Sequence, residues 1–291
     1  MSLNILIGIL PAIMWGVGPL IATKIGGRPI EQVVGTGYGQ VIVGLIIYAF
    51  TRPSISFQEF LWPFLGGMAW SFAQFTQFSS FQKMNVSSAM PISTGLQLIE
   101  IPLCGVIFWG EWGSIDAKTI GFISIALLII GVFSTSYVDK SVSRVKMDYK
   151  AGIPLLLIGS LGYTACSVFP RIPNASGIVG LLPQTIGMCL GAIVISFVMN
   201  GNSSVQLIKS KFTIKNGIIG LLGGLGTLAY LTSLSLNGVA TSFPLTQMNV
   251  VVSTIGGLLI LKEHKNRKEL LFTIAGLVMI VFAAVMIGRL S

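Results

Sequence analysis

Charged residues are missing from most of this chain, and their absence limits what it can fold into more than any motif does. About ten stretches of roughly 20 residues, apolar and nearly free of Lys, Arg, Asp and Glu, follow one another with short breaks, and about 20 such residues cross a bilayer core as a helix. One or two stretches could be buried core helices of a soluble domain. Ten in series predict an all-α integral membrane protein, because helices satisfy their own backbone hydrogen bonds in lipid. Only 9% of the 291 residues are charged and 53% are hydrophobic. A soluble domain carries about 25% charged residues, so there is no room for one of ordinary composition.

The spans are expected near 3–22, 33–50, 60–81, 86–109, 117–138, 151–169, 177–199, 214–236, 239–261 and 269–288. Met84-Asn85 and Asn237-Gly238 are very short breaks that predict tight antiparallel hairpins. The longest break is polar and charged and falls near the midpoint. It divides the chain into a first five-helix half, 1–138, a linker, 139–150, and a second five-helix half, 151–291. No Lys or Arg precedes Lys24, and Pro11, Trp15, Gly16, Gly18 and Pro19 interrupt the first span. That is not the pattern of a cleaved signal peptide, so the span is expected to stay in the mature protein.

Basic residues cluster in alternate breaks. Those after the odd-numbered spans hold fourteen of the 18 Lys and Arg residues; Arg52, Lys118, Arg171 and Arg289 are the rest. The positive-inside rule then places the odd connections, including the 139–150 linker, in the cytoplasm and both termini outside. The net charge of +9 is read as membrane orientation. No basic block is interleaved with aromatics, so nucleic acid is not an expected partner.

The halves repeat one another. Val86-Ser87-Ser88-Ala89-Met90-Pro91 aligns with Val239-Ala240-Thr241-Ser242-Phe243-Pro244, each just after a short break. Glu111 and Glu263 follow at nearly equal distances beyond the two prolines. Val34-Gly35 with Gln40 matches Val179-Gly180 with Gln184, and Trp15 falls near the place of Tyr163. Five spans per copy is an odd number, so the second copy enters the membrane from the opposite side. Many secondary transporters use such inverted repeats and hold substrate near the midplane between halves.

Several signals are bland. Gly35-xxx-Gly39, Gly187-xxx-Gly191 and Gly220-xxx-Gly224 are read as close helix packing. No glycine run leads into the Lys-Ser/Thr of a nucleotide site. Cys104, Cys166 and Cys189 have no CxxC spacing, and His264 lies in a charged connection. No catalytic, metal or cofactor site is expected.

Polar side chains at membrane depth are costly and usually face a cavity or one another. Trp70, Gln74 and Gln77 share one face of the third span, and Thr94 and Gln97 share one face of the fourth. Gln40, Gln184, Gln247 and Asn249 add amides; Trp15, Tyr163 and Tyr230 add aromatic rings. Amides both donate and accept hydrogen bonds, and flat rings cover the C–H face of a sugar. This set suits a neutral, many-hydroxyl substrate. An anion would call for buried Arg or Lys, an organic cation for several carboxylates. Glu100 is the one acid well inside a span: a candidate proton carrier, or a structural donor between helices.

Met90-Pro91-Ile92-Ser93-Thr94-Gly95-Leu96-Gln97-Leu98 closely resembles a signature of bacterial glucose/ribose uptake proteins of the GRP type, in the drug/metabolite transporter superfamily. Gly110-Glu111-Trp112, Pro183 through Met188, Ala240 through Gln247, Val251 through Gly257 and Lys262 through Lys265 extend the resemblance. It implies ten helices in two five-helix halves, a location in the bacterial cell membrane, and uptake of glucose or a related monosaccharide with protons as a candidate coupling ion. Glu100 departs from that pattern, which has a small residue there. The reading is therefore a secondary sugar transporter working by alternating access. Its rivals are a drug, metabolite or amino-acid exporter of the same superfamily, an intramembrane enzyme, and a non-transporting sensor or scaffold. The catalytic pair an enzyme needs and the soluble output domain a sensor needs are not evident in the sequence.

Overall fold

The computed structural model describes residues 3–84, 86–137, 139, 147–175, 177–260 and 265–290, and every regular element among them is helical. In chain order these are α1 (Leu3–Ile25), α2 (Pro29–Thr51), α3 (Phe57–Met84), α4 (Val86–Trp109), α5 (Ile115–Thr135) and α6 (Tyr149–Val168), then α7 (Gly177–Asn200), the short α8 (Ser204–Ile208), α9 (Lys211–Asn237), α10 (Val239–Thr246), α11 (Asn249–Leu259) and α12 (Arg267–Ile287). Among the described residues, eight helical stretches are long and apolar enough to cross a membrane. α3 is long, but Gln74, Thr76, Gln77, Ser79 and Ser80 dilute its hydrophobicity, and α10 and α11 are each too short alone.

The stretch expected as one span at 239–261 is divided. Around Gln247 and Met248 the backbone turns through bonds from Gln247 N to Pro244 O (3.1 Å) and Met248 N to Leu245 O (3.3 Å). Three-residue bonds tighten a turn relative to the α-helix, and Asn249 restarts the helix. The break before α9 also holds α8, which the apolar pattern did not suggest. The hairpin at Asn237-Gly238 is as tight as expected, with Gly238 at φ +75°. Asn85, most of the linker and the Glu263-His264 pair lie outside the described residues.

Helix starts are written in side chains. Ser114, Asp148 and Ser210 cap α5, α6 and α9, and Asn266 with Glu269 closes a capping box on α12. Such caps satisfy N–H groups that have no partner within the helix.

The main helix pairs are α2 with α9 and α3 with α7, α1 with α9 and α3 with α6, and α4 with α6 and α1 with α11. α2 also meets α7, α5 meets α12, and α4 meets α10. This set maps onto itself when α1 is exchanged with α6, α2 with α7, α3 with α9, α4 with α10/α11, and α5 with α12. Glycines permit the closest approaches. A Cβ on Gly39 would collide with Gly217 O of α9, and one on Gly187 with Phe64 O of α3. Small residues replace the hydrophobic drive that helices lack in lipid. Buried Leu98, Ile101, Leu128, Leu231, Leu234, Phe243 and Ile280 form the largest core cluster. Phe50, Ile107, Leu271, Val278 and Phe282 point outward, as a lipid-facing surface requires.

Candidate functional site

Two turns of α6 gather polar side chains from four other helices. Gly159 and Gly162 let α3 approach until a Cβ at Gly162 would press on Ala69 O and Ala73. That approach brings the Tyr163 hydroxyl within 3.0 Å of both Gln74 Oε1 and Gln77 Oε1. Gln77 Nε2 donates to Ser93 Oγ of α4 (2.8 Å), and Gln97 Nε2 donates to the same oxygen (3.1 Å). Gln74, Gln77, Ser93, Gln97 and Tyr163 thus form one hydrogen-bonded network across α3, α4 and α6. Gln74, Gln97 and Tyr163 are only half buried.

Further along α6, Tyr230 of α9 donates its hydroxyl to Ser167 O (3.1 Å). Its ring lies 5.9 Å from that of Trp15, whose Nε1 donates to Gly223 O (3.3 Å). Gln184 donates to Cys166 O and Sγ, each at 3.0 Å. Gln184 and Gln40, the two glutamines paired by the sequence repeat, are both buried, and each leaves Oε1 without a partner among the described residues. An unpaired buried acceptor costs about 1–3 kcal/mol, so both sites favour a visiting donor.

The remaining expected site residues stand apart from the network. Trp70 packs against the apolar cluster of Val33, Val34 and Ala192. Thr94 is buried next in sequence to Ser93. Gln247 donates to Thr246 Oγ1 (3.2 Å) at the α10–α11 junction. Half-buried Asn249 opens α11, where its carbonyl oxygen faces Gly16. Ser93, Ser160, Thr164 and Ser167 were not anticipated, although Ser93 stands one turn before Gln97.

Two acids tie distant elements together. Glu100 accepts from Ser160 Oγ (2.7 Å) and Thr164 Oγ1 (2.8 Å) of α6. Glu111 caps α10 from the α4–α5 connection, accepting from Val239 N (2.9 Å) and Ala240 N (2.6 Å). Gly110 at φ +64° and Trp112 at φ +55° aim this turn. The Trp112 indole donates to Thr241 Oγ1 (3.3 Å). Positive φ in a residue other than glycine costs about 1–3 kcal/mol, so the turn is held by its contacts. A Cβ at Gly238 would overlap the Glu111 carboxylate.

No group of His, Cys, Asp and Glu suited to a metal occurs among the described residues. Two surface hollows, about 430 and 330 Å³, lie in outer grooves between α5 and α12 and between α2 and α9. They share no residue with the network and are lined mainly by apolar side chains. The network itself is made of amides and hydroxyls, and none of its members is Lys, Arg or His. One Tyr163 proton faces two glutamine carbonyls, and Gln74 Nε2 also reaches Gln77 Oε1 (3.5 Å), so when Tyr163 donates to Gln77 the Gln74 carbonyl is left to accept from a ligand hydroxyl.

A profile of the family described as sugar transport protein matches residues 6–290. A protein named for sugar uptake from Listeria monocytogenes is 40% identical over 286 residues, covering 98% of this chain and 99% of its own. The glucose uptake protein GlcU of Bacillus subtilis is 38% identical over 288 residues, 98% of each chain. A protein named for ribose uptake, RbsU of Latilactobacillus sakei, is 40% identical over 285 residues, 97% of each chain. A crystal structure at 15% identity superimposes with a TM-score of 0.72 over 99% of this chain and 98% of that one. That likeness concerns the fold alone.

Proposed function

This chain belongs to the sugar transport protein family, and from that premise we propose that it takes up glucose or a related monosaccharide by alternating access. It is a multi-pass membrane transporter, not an enzyme. The observation that carries the substrate reading is the uncharged network of Gln74, Gln77, Ser93, Gln97 and Tyr163. It offers donors and a spare acceptor to hydroxyls and no charge to attract an ion. The Trp15–Tyr230 pair and the unpaired Oε1 atoms of Gln40 and Gln184 extend the candidate surface. Trp70, Thr94, Gln247 and Asn249 stand apart from it and are not part of the proposed surface.

The proposed architecture is ten spans in two inverted halves, 1–138 and 151–291, with α10 and α11 as the two parts of the ninth span. The exchange symmetry of the helix pairs supports it. So does the pairing of Gly39 with α9 and of Gly187 with α3, the same contact in each half. The proposed orientation in the bacterial cell membrane puts the 139–150 linker in the cytoplasm and both termini outside, on the distribution of Lys and Arg. The halves then rock about a fixed central site. The Glu111 cap holds α4–α5 to α10 at the outer end.

Purified protein in proteoliposomes tests this. Labelled glucose is expected to enter, with competition from ribose or other monosaccharides. Transport of an amino acid or a cationic dye, unaffected by sugars, would replace this reading with an exporter.

A further inference from the structure

Most acids of this chain serve the start of a helix. Glu31, Glu59 and Glu269 close capping boxes or first turns, Asp116 lies in the first turn of α5, Asp148 caps α6, and Glu111 caps α10. Glu100 has no such duty. It lies well inside α4, and each of its two oxygens meets a different hydroxyl of α6, Ser160 and Thr164.

Ser160 Oγ is also 2.9 Å from Leu157 O, one turn back in α6. A serine hydroxyl has one proton to donate and can accept at the same time. With Glu100 ionised, Ser160 and Thr164 both donate to the carboxylate. With a proton added to Oε1, that O–H donates to Ser160 Oγ, Ser160 turns its own proton to Leu157 O, and Thr164 still donates to Oε2. Every polar atom stays paired in both states, and no heavy atom has to move. The hydroxyls meet the carboxylate directly, so one added proton is satisfied by the same three groups.

Residues 160, 163 and 164 lie one turn apart on α6. The same turn therefore carries Tyr163, bonded to Gln74 and Gln77, and the two hydroxyls bonded to Glu100. Around Glu100, Cys104 is the titratable neighbour on α4 itself. On α6, Tyr163 and Cys166 are the nearest titratable residues in sequence. The charged residues of α3 and α5, Glu59, Lys83, Asp116 and Lys118, sit at helix ends, and α10 has none.

We propose that Glu100, with Ser160 and Thr164, is a proton-binding site coupled to the sugar network through α6. This rests on the sugar-uptake reading. One proton binds Glu100 from the outer solution, travels with the sugar, and leaves on the inner side as the carboxylate is restored.

Two measurements on the full chain test it. The first needs no sugar: infrared titration of purified protein is expected to show the carbonyl band of a protonated carboxyl that disappears in Glu100→Gln. No lost band would overturn the proposal, whatever the substrate is. The second compares glucose exchange between equal pools with accumulation driven by a pH gradient. One proton per sugar sustains about tenfold accumulation per pH unit. Glu100→Gln is expected to keep exchange and lose accumulation. Ser160→Ala is expected to keep exchange and accumulate less, with its pH profile displaced. Gradient-driven accumulation that persists in Glu100→Gln, or loss of exchange together with accumulation, would overturn the proposal. A parent that exchanges no sugar would instead refute the sugar-uptake reading and leave the infrared result to decide the proton site.

Discussion

Glu111→Gln removes the charge at the start of α10 and leaves one acceptor where two carboxylate oxygens now take Val239 N at 2.9 Å and Ala240 N at 2.6 Å. Counted singly, hydrogen bonds to a charged group contribute about 1.5–3 kcal/mol each, and the helix-end charge adds about 0.3–1 kcal/mol. Measured losses of an N-cap, in which water replaces the missing partner, run lower, at about 0.5–2 kcal/mol. The lower range applies here, because the cap lies at the end of the bundle. The cap joins residue 111 to residues 239 and 240; in the proposed alternating-access cycle these lie in different halves, so the cap is expected to exist only while this end is closed. Losing it is expected to raise the open population about 2- to 30-fold. Ser242 is buried behind the cap, bonded to Ser233. The rate at which a small thiol reagent modifies Ser242→Cys reads that population over the baseline set by Cys104, Cys166 and Cys189. The rate is expected to rise by the same factor when Glu111→Gln is added, and by less with Thr241→Val, which removes the Trp112 bond and leaves both Glu111 bonds in place. An unchanged rate in the Glu111→Gln background would refute the idea that this carboxylate holds the outer end closed.

Packing and orientation give two further expectations. Gly39→Val and Gly187→Val force a side chain against Gly217 O and Phe64 O; overpacking of this kind costs about 1–3 kcal/mol. Both are expected to lower the Tm in detergent, whereas Gly113→Ala, with open space around it, is not. Equal Tm values in all three would show that the close helix crossings are not tight. Cysteines placed at Lys140 or Lys146 are expected to resist an impermeant thiol reagent in intact cells, while one at Arg171 reacts. Labelling of the linker from outside would reverse the orientation.

The helices were legible because apolar runs broken by charge leave few alternatives in lipid. The division of the 239–261 stretch into α10 and α11 was not. Pro244 has a repeat mate in Pro91, which lies in the unbroken α4, so the same local sequence serves both a continuous and an interrupted helix. Gln74, Gln77 and Gln97 were found by helical spacing, since amides at membrane depth are rare. Their partners could not be, because the Tyr163 contacts cross 86 and 89 residues of sequence. Ser160 and Thr164 carried no signal either. Serine and threonine in a helix ordinarily bond back to a carbonyl one turn earlier, as Thr36, Ser79, Thr119 and Ser134 do here. Only the meeting of α4 and α6 distinguishes these two. Glu111 was visible as a repeat offset, but its role as a cap depends on a helix that starts 128 residues later.

A neutral sugar is proposed to be held by the amide and hydroxyl network on α3, α4 and α6. Equilibrium binding of labelled glucose to purified protein, parent against Gln97→Ala and Tyr163→Phe, tests it most directly. One hydrogen bond to a neutral ligand is worth about 0.5–1.5 kcal/mol. Each variant is therefore expected to bind glucose several-fold to about tenfold more weakly at an unchanged Tm. Glucose binding of parental strength in both variants would place the sugar outside this network.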